Sequence, residues 1–332
     1  MKFDTIIGNP PYQKACGDDA KLLVPVYQSF IEKALELNSS NISFIVPSRW
    51  MQGGLNLDQF RFNMMQLNKF KYMIDFQRSE TAFPNMWIDG GICYFLIQQE
   101  YNGKTLYKYI DKDGNQETTE RYLRTNKFDF VIRDHRQLSI IEKAMSLNEL
   151  TFAEIVGQRN CYGIDTGLFN NPENYPEADL RNEETQGYYK IYGVLGEKNA
   201  VRVHGWIHPE GAKLHKEFIG KYNIFLGYAY NIKSVTPAKR ILSVPGELCT
   251  GTFLNIGPFE TKEQQLNCEE YIKTKFFRAL LYFHRFQKNS TYKTFELIPL
   301  QDFSITWTDE MLYSKYNLSE QDISYINNLI EV

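Results

Sequence analysis

The sequence is poor in cysteine and in long apolar runs, and each shortage excludes a class of protein. Its five cysteines in 332 residues are odd in number, widely scattered and never spaced as Cys-x-x-Cys, which predicts neither a disulfide framework nor a zinc cluster. No segment approaches the roughly 18 consecutive apolar residues of a membrane span, and residues 1–11 do not follow the pattern of a signal peptide. We therefore expect a cytoplasmic protein with no membrane partner.

Neither sign of charge predominates in the chain, whereas aromatic residues are abundant. The net charge of −3 excludes a uniformly basic nucleic-acid coat but leaves room for a local basic face. Tyr, Phe and Trp together make up 15% of the chain. Most of these rings are expected in the core, and the surplus suits a surface that stacks on flat ligands or bases.

The first hundred residues alternate β-branched runs with helical patterns, which predicts parallel α/β units. The predicted strands are residues 3–9, 42–47, 71–76 and 92–99. Between them, Val26, Phe30, Ala34 and Leu37 recur at helical spacing, and residues 55–67 form a second amphipathic pattern. Asn-Gly and Asp-Gly turns within residues 102–118 predict a hairpin that leaves the sheet.

The regular alternation ends near residue 150. After a predicted helix over residues 134–147, turns rich in Gly, Asn and Pro separate short strand-like pieces. We therefore predict a first domain over 1–130 and a second domain of α+β character over 150–332, with a boundary near 125–150. One long helix is predicted close to the end, over residues 266–286.

The apolar strand near the start of the chain stops at Asn9-Pro10-Pro11-Tyr12. Two prolines can simply end a strand and begin a turn. The same residues also suit an exocyclic amine as nucleophile, because the Asn9 side-chain oxygen and the Pro10 carbonyl can both accept hydrogen bonds from an NH2 group. Pro10 and Pro11 make that corner rigid, and the Tyr12 ring offers a surface on which a base can stack.

With these residues in place, FDTIIGNPPYQ (3–13) resembles the catalytic motif IV region of the S-adenosylmethionine-dependent N6-adenine DNA methyltransferases of bacterial restriction-modification systems, of the type II or IIG kind. ISFIVPSRWMQGG (42–54) resembles the family's next strand and loop, and FPNMWIDGGICYFLIQQ (83–99) resembles its motif VIII, led by Phe83. The tail from residue 291 to 332 is similar to the C-terminal ends of large fused restriction-modification proteins.

The resemblance implies a fold and a mechanism. The fold is the substrate half of a Rossmann-like methyltransferase sheet, followed by a target-recognition domain. A base inside a duplex cannot reach such a site, so double-stranded DNA is the implied partner and the adenine must flip out of the stack. Tyr12 and Phe83 would sandwich the base, and Asn9 and Pro10 would bind its amino group during direct methyl transfer without a metal. A core aromatic before Pro84 is an equal alternative for Phe83.

The family's glycine-rich cofactor turn has no counterpart ahead of Asn9. Paired glycines at 193–200 and 250–258 are weak candidates for a displaced copy. We therefore expect an incomplete S-adenosylmethionine pocket and an open sheet edge at the first strand. A separate chain or an N-terminal segment that carries the cofactor-binding motif would then be needed as a partner.

Cations interleave with aromatics in and after the predicted long helix, and they are candidates for phosphate contacts on DNA. These cations are Lys273, Lys275, Arg278, Arg285, Lys288 and Lys293. An amphipathic helix with solvated charges is the alternative. KSVTPAKR (233–240) is a second phosphate-contact candidate, and His204, His208 and His215 are disfavoured as metal ligands because Pro209 breaks the helix that would align them.

Two functions of different class remain open from the sequence. The first is a methyltransferase fragment that presents the adenine pocket together with a recognition domain. The second is a DNA-binding specificity module that has lost catalysis and retains the Asn-Pro-Pro-Tyr corner as a relic. No nuclease motif is evident in the chain.

Overall fold

The computed structural model describes residues 3–330, apart from residues 17–18, 53, 125–127, 197–199, 232–233 and 285–288. The chain divides into two compact units, Met1–Leu138 and Ser139–Val332. The division falls between the two domain ranges predicted from the sequence. Among the helices described, none combines the length and the apolar composition that crossing a lipid bilayer requires.

The first unit is a mixed α/β structure. Its strands and helices are, in chain order, β1 (Thr5–Gly8), β2 (Gln13–Cys16), β3 (Asp19–Pro25), α1 (Tyr27–Glu36), β4 (Asn41–Pro47), α2 (Asp58–Gln66), β5 (Phe70–Phe76), β6 (Ile92–Gln98), β7 (Thr105–Ile110), β8 (Gln116–Arg121) and α3 (His135–Ala144), which contains the point of division.

Six of these strands form one sheet in the order β1-β4-β6-β5-β7-β8. β1 is parallel to β4 and β5 is parallel to β7, whereas β6 is antiparallel to both of its neighbours. The predicted α/β class is confirmed, but the expectation of purely parallel units is wrong for β6. A parallel neighbour needs a crossover connection, usually a helix, and residues 77–91 contain only a short helical turn at Ser79–Thr81.

The hairpin predicted within residues 102–118 forms as β7 and β8, but it does not leave the sheet. Both amides of Asp113 and Asn115 donate to the Asp111 carboxylate at 2.9 Å, which closes the turn. β7 pairs with the edge of β5 and so satisfies backbone groups that would otherwise stay open. The hairpin therefore extends the sheet by two strands.

Helices α1 and α2 contribute to one apolar core with β4, β5, β6 and β7. The predicted helix α1 is present, but its predicted apolar face is only partly correct, because Ala34 is buried as expected whereas Phe30 and Leu37 are exposed. Tyr27 and Ile31 are buried in their place. Both sets of residues satisfy helical spacing, so spacing alone cannot choose between them. Tyr27 packs edge-on against Phe60 of α2, with ring centroids 6.4 Å apart.

Strand β1 lies at the edge of the sheet. Among the described strands β4 is its one neighbour, in parallel register from Thr5↔Asn41 to Gly8↔Phe44. Ile6 packs against the core, whereas Ile7 points to the other face and is 79% exposed. The outer edge of β1 and the Ile7 side chain are therefore open to a further strand.

The second unit has irregular α/β content. Its strands and helices after α3 are β9 (Tyr189–Leu195), β10 (Val201–Ile207), α4 (Lys216–Ile219), β11 (Tyr222–Gly227), β12 (Arg240–Ser243), β13 (Glu247–Cys249), β14 (Phe253–Phe259), α5 (Lys262–Lys273), α6 (Lys275–His284), α7 (Asp309–Lys315) and α8 (Glu320–Ile330). The strands form two three-stranded sheets, β10-β9-β13 and β12-β11-β14.

The single long helix predicted over residues 266–286 is wrong, because the chain breaks it into α5 and α6 at Thr274. Thr274 is extended there, with ψ 149°. Its hydroxyl donates to the Tyr271 carbonyl and accepts from the Phe277 amide. The Asp309 carboxylate accepts from the amides of Lys275 and Phe276 at 3.0 and 2.9 Å. The new helix start is thus capped from both sides.

Candidate functional site

The Asn-Pro-Pro-Tyr corner follows directly after β1. Pro10 is buried and Tyr12 is half-buried, whereas Asn9 and Pro11 are exposed. β2 and β3 form an antiparallel hairpin after the corner, and the amide of Val26 at its end donates to the Tyr12 carbonyl at 3.1 Å. The corner is therefore held between the sheet edge and a hairpin that was not predicted from the sequence.

A cavity of about 340 Å³ lies beside Tyr12. This volume is within the range of roughly 300–1,000 Å³ that is typical of small-molecule pockets. Most of its walls are rings and apolar side chains, contributed by Tyr12, Pro25, Tyr27, Pro47, Leu55 and Trp87. Flat apolar walls of this kind suit a planar aromatic ligand such as a nucleobase.

The Tyr12 hydroxyl is buried and has no hydrogen-bond partner among the described residues. Burial, with a smaller contribution from nearby Cys93, raises the pKa of Tyr12 above its usual value. The side chain is therefore a neutral phenol at physiological pH. Its ring forms part of the cavity wall and carries no charge that would oppose stacking.

Phe83 and Trp87 lie on the same loop but in different positions relative to this cavity. Phe83 is half-buried in a turn, where its amide donates to the Ser79 carbonyl at 2.8 Å, and it is not among the residues that line the cavity. Trp87 lines the cavity and is 63% exposed. Trp87 was not predicted from the sequence, because Phe83 and Trp87 both lie in the motif VIII-like segment and the sequence does not distinguish which ring reaches the cavity.

The loops on both sides of the cavity are anchored by one buried ion pair. Asp75 is fully buried and accepts hydrogen bonds from Ser48 and Tyr107 at 2.6 Å and from two guanidinium nitrogens of Arg133 at 2.6 and 2.7 Å. Arg133 also donates to the Gly90 carbonyl at 2.7 Å. All polar groups of the pair are thus engaged, as a stable buried pair requires.

Two residues bound by this ion pair, Ser48 and Gly90, are direct neighbours of cavity-lining residues in the chain. Ser48 follows Pro47, and Gly90 follows Asp89, so each anchored residue adjoins a residue of the cavity wall. Burial, with the nearby Asp75 charge, raises the pKa of the Tyr107 hydroxyl, which therefore stays protonated as a donor. The Asp75–Arg133 pair fixes both walls through these neighbours.

A second ion pair, which is open to solvent rather than buried, lies on the cavity wall itself. Arg49 Nη1 is 2.5 Å from Asp89 Oδ2, and both residues line the cavity. The Arg49 side chain is 25% exposed, whereas that of Asp89 is 71% exposed. A pair this open to solvent stabilises the fold by about 0–1 kcal/mol.

Three of the predicted DNA-binding cations have partners within the second unit. Lys273 Nζ lies 2.7 Å from a Glu270 carboxylate oxygen and 3.7 Å from one of Glu269. Lys275 donates to the Asn327 side chain at 2.9 Å.

Arg278 donates to the Val235 carbonyl at 3.1 Å, and burial lowers its pKa. Lys293 is exposed, and Arg285 and Lys288 lie outside the described residues. In the second candidate segment, Arg240 pairs with the Glu269 carboxylate at 2.5 and 2.8 Å, and Lys233 lies outside the described residues. Contact of any of these cations with DNA stays a prediction.

The three histidines considered as metal ligands have separate surroundings. The His204 ring contacts Trp206 edge-on, His208 accepts from the Glu210 amide, and the His215 ring stacks on Phe218. Among the described residues, the group whose donor atoms come close together is a different one, Glu117, Asp134 and His135. Arg136 pairs with the carboxylates of that group, so their charge is compensated by a side chain.

The glycine pairs considered for the cofactor do not form a strand–turn–helix. Gly193 lies inside β9, and Gly196 directly follows that strand. Gly251 precedes β14 and Gly257 lies inside it. A methionine-binding turn opens a helix whose N-terminus faces the ligand. These four glycines therefore do not form a turn that fits S-adenosylmethionine.

Comparison with known proteins finds a family match over the part of the chain that contains the Asn-Pro-Pro-Tyr corner. Residues 1–83 match the family model of the Eco57I restriction-modification methylases. The predicted resemblance to restriction-modification methylases is confirmed over this segment. An uncharacterized adenine-specific methylase of Mycoplasma pneumoniae is 35% identical over 141 residues, which are 42% of this chain and 33% of that protein. The chain thus spans about a third of the length of this curated relative.

Two solved structures are similar over nearly the whole chain. The type IIG restriction endonuclease BpuSI aligns with 99% of this chain and 53% of its own, at 10% identity and a TM-score of 0.39. The type IIL restriction-modification enzyme MmeI, in complex with DNA, aligns with 98% of this chain and 53% of its own, at 10% identity and a TM-score of 0.43.

Proposed function

We propose that this chain supplies the adenine-binding part of a DNA adenine-N6 methyltransferase that belongs to a restriction-modification system. The observation that carries the proposal is the aromatic cavity lined by Tyr12. Asn9 and Pro10 precede Tyr12 in the chain and are not among the residues that line the cavity. The match of residues 1–83 to restriction-modification methylases supports it, because this segment contains the corner and the cavity-lining residues from Tyr12 to Leu55.

The proposed role of the chain is to hold an extruded adenine. Unpairing and unstacking a base costs a few kcal/mol, and stacking on an aromatic side chain returns about 1–3 kcal/mol. Tyr12 and Trp87 supply such rings in the cavity. The exposed Asn9 amide oxygen and the Pro10 carbonyl would accept the hydrogen bonds of the N6 amine, and the proline rings would limit their motion.

The methyl donor would be S-adenosylmethionine, held by a second polypeptide segment. The open edge of β1 supports this part of the proposal, because an added parallel strand would satisfy its backbone groups and cover Ile7. The partner is then a separate chain or an N-terminal segment that carries the cofactor-binding motif. The second unit would recognise the DNA sequence, with Lys293 as an exposed candidate for a phosphate contact.

Reconstitution tests the proposal directly. The chain is mixed with the cofactor-binding part of a restriction-modification methylase, and N6-methyladenine is measured by mass spectrometry in digested DNA. We expect methylation with the wild-type chain and none with Asn9→Ala, at nearly unchanged DNA affinity. Asn102→Ala, an exposed asparagine remote from the corner in sequence, is the matched control and should retain activity.

The alternative function gives a different result in the same experiment. A specificity module that only binds DNA would retain DNA affinity and produce no N6-methyladenine with any cofactor-binding partner. That outcome would contradict the proposed function.

A further inference from the structure

Arg49 has more hydrogen-bonding capacity than the structure uses. A guanidinium carries five N–H donors in a planar fork. Among the described residues, the one hydrogen bond of the Arg49 side chain is the contact from Nη1 to Asp89. Tyr27, another residue of the cavity wall, has its pKa shifted upward mainly by burial, and the Arg49 charge partly opposes that shift. The guanidinium is thus close to the cavity and only partly engaged.

The partner of Arg49 is easily displaced. Asp89 is 71% exposed, so water screens its charge and holding this contact gains little free energy. A phosphate that accepts two parallel hydrogen bonds from the guanidinium binds arginine more strongly than this single contact to Asp89 does. Arg49 and Asp89 are the charged residues among those that line the cavity.

The location of the Arg49–Asp89 pair indicates which hydrogen-bond acceptor would bind Arg49 in place of Asp89. Trp87 is 63% exposed and the Asp89 side chain is 71% exposed, and from this exposure we infer that they lie at the mouth of the cavity. If a base lies inside against Tyr12, its sugar must leave through this mouth, and the phosphates of the same nucleotide lie just outside. Backbone phosphates are the acceptors that arginine contacts most often in DNA complexes.

We propose that Arg49 binds a phosphate of the flipped nucleotide at the mouth of the cavity, in exchange for Asp89. This inference rests on the proposed function, since it takes the ligand of the cavity to be an adenine nucleotide. Asp89 then has two roles: it keeps Arg49 oriented when the cavity holds no ligand, and it repels phosphate until it moves aside. The site would therefore select a nucleotide over a free base or nucleoside.

The experiment compares deoxyadenosine with its 5′- and 3′-monophosphates, titrated into the full chain at constant ionic strength and followed by ligand-observed NMR. We expect the wild-type chain to bind one monophosphate about tenfold more tightly than the nucleoside, as one charge-assisted contact supplies. Arg49→Gln should remove this preference, so that the nucleoside and both monophosphates bind to this variant with equal affinity. Arg49→Lys should keep part of it, and Asp89→Asn should increase it.

Controls separate the possible failures. Arg124→Gln changes an exposed arginine that donates to Gln66 and does not line the cavity, and it should behave as the wild type. Circular dichroism confirms that each variant is folded. Equal affinity for nucleoside and both monophosphates would overturn the assignment of Arg49 and leave the proposed function standing. Absence of binding for all three ligands would overturn the proposed function and this inference together.

Discussion

At the scale of single residues, the cavity combines one ring held by the corner with one ring on a loop. Tyr12 is fixed by its position after two prolines and by the hydrogen bond from Val26 to its carbonyl. Trp87 comes from the loop between β5 and β6, which the Asp75–Arg133 pair anchors through Gly90. A base between such rings would be held without large rearrangement of the backbone.

Replacing Trp87 should weaken the binding of adenine nucleosides. We expect Trp87→Ala to lower the affinity for deoxyadenosine about tenfold, since loss of one stacking ring costs about 1–3 kcal/mol. Ligand-observed NMR or calorimetry measures this affinity. Phe83→Ala is the matched control from the same loop and should change it less than twofold. A large loss for Phe83→Ala with none for Trp87→Ala would restore the sandwich predicted from the sequence.

Breaking the buried ion pair should destabilise the first unit strongly. Arg133→Met leaves the Asp75 carboxylate buried without its cation, which costs about 3–5 kcal/mol of unfolding free energy. Tyr107→Phe removes one donor to the same carboxylate and should cost about 1–2 kcal/mol. Urea denaturation measures both values.

The control for this prediction is an ion pair on the surface. Lys33→Met disrupts the exposed pair of Lys33 with Glu36 and should cost less than about 0.5 kcal/mol. If Arg133→Met is no more destabilising than Lys33→Met, the buried pair does not anchor the loops as described.

At the scale of elements, α6 owes its separate start to a distant residue. Asp309, the first residue of α7, accepts from the first two amides of α6. A carboxylate at a helix N-terminus also interacts favourably with the helix dipole. The break between α5 and α6 thus depends on residues more than thirty positions apart.

Removing this cap should lower the stability of the second unit. We expect Asp309→Ala to reduce the free energy of unfolding by about 1–2 kcal/mol. Asp309→Asn keeps an acceptor and loses the charge, so its effect should be about half as large. Glu142→Ala, an exposed carboxylate on α3, is the control and should be within about 0.5 kcal/mol of the wild type. Equal stability of all three variants in denaturant titrations would show that Thr274 alone sets the break.

Comparison of the predicted and observed elements shows which parts of the fold local sequence signals can predict. Local signals predicted β1, β4, β5, β6, α1 and α2, because each has a clear apolar period or turn residue. The direction of β6, the docking of β7 on β5 and the break at Thr274 follow from contacts between distant residues. Trp87 was missed for the same reason, since only the folded loop shows which of two nearby aromatics reaches the cavity.

At the scale of the whole molecule, the open edge of β1 is the feature that bears on assembly. Exposed parallel edges invite pairing with another strand, and Ile7 adds an apolar side chain at that edge. The proposed cofactor-binding partner would therefore dock at this edge.

A charge placed at this edge should block that docking. We expect Ile7→Lys to keep the fold, because Ile7 is 79% exposed, and to reduce affinity for the cofactor-binding partner at least tenfold. Sedimentation velocity or calorimetry on the reconstituted mixture measures the change. Val201→Lys, which alters an apolar residue of β10 that is 64% exposed, is the control. Unchanged association for Ile7→Lys would place the partner elsewhere.

The central claim is that an adenine out of its duplex lies beside Tyr12. The most direct measurement is a crystal structure of the chain with short duplexes that carry an adenine opposite an abasic site, because such a base costs less to extrude. We expect the adenine between Tyr12 and Trp87, with its amine facing Asn9 and Pro10. Bound DNA with that adenine still stacked, or lodged at another site, would contradict it.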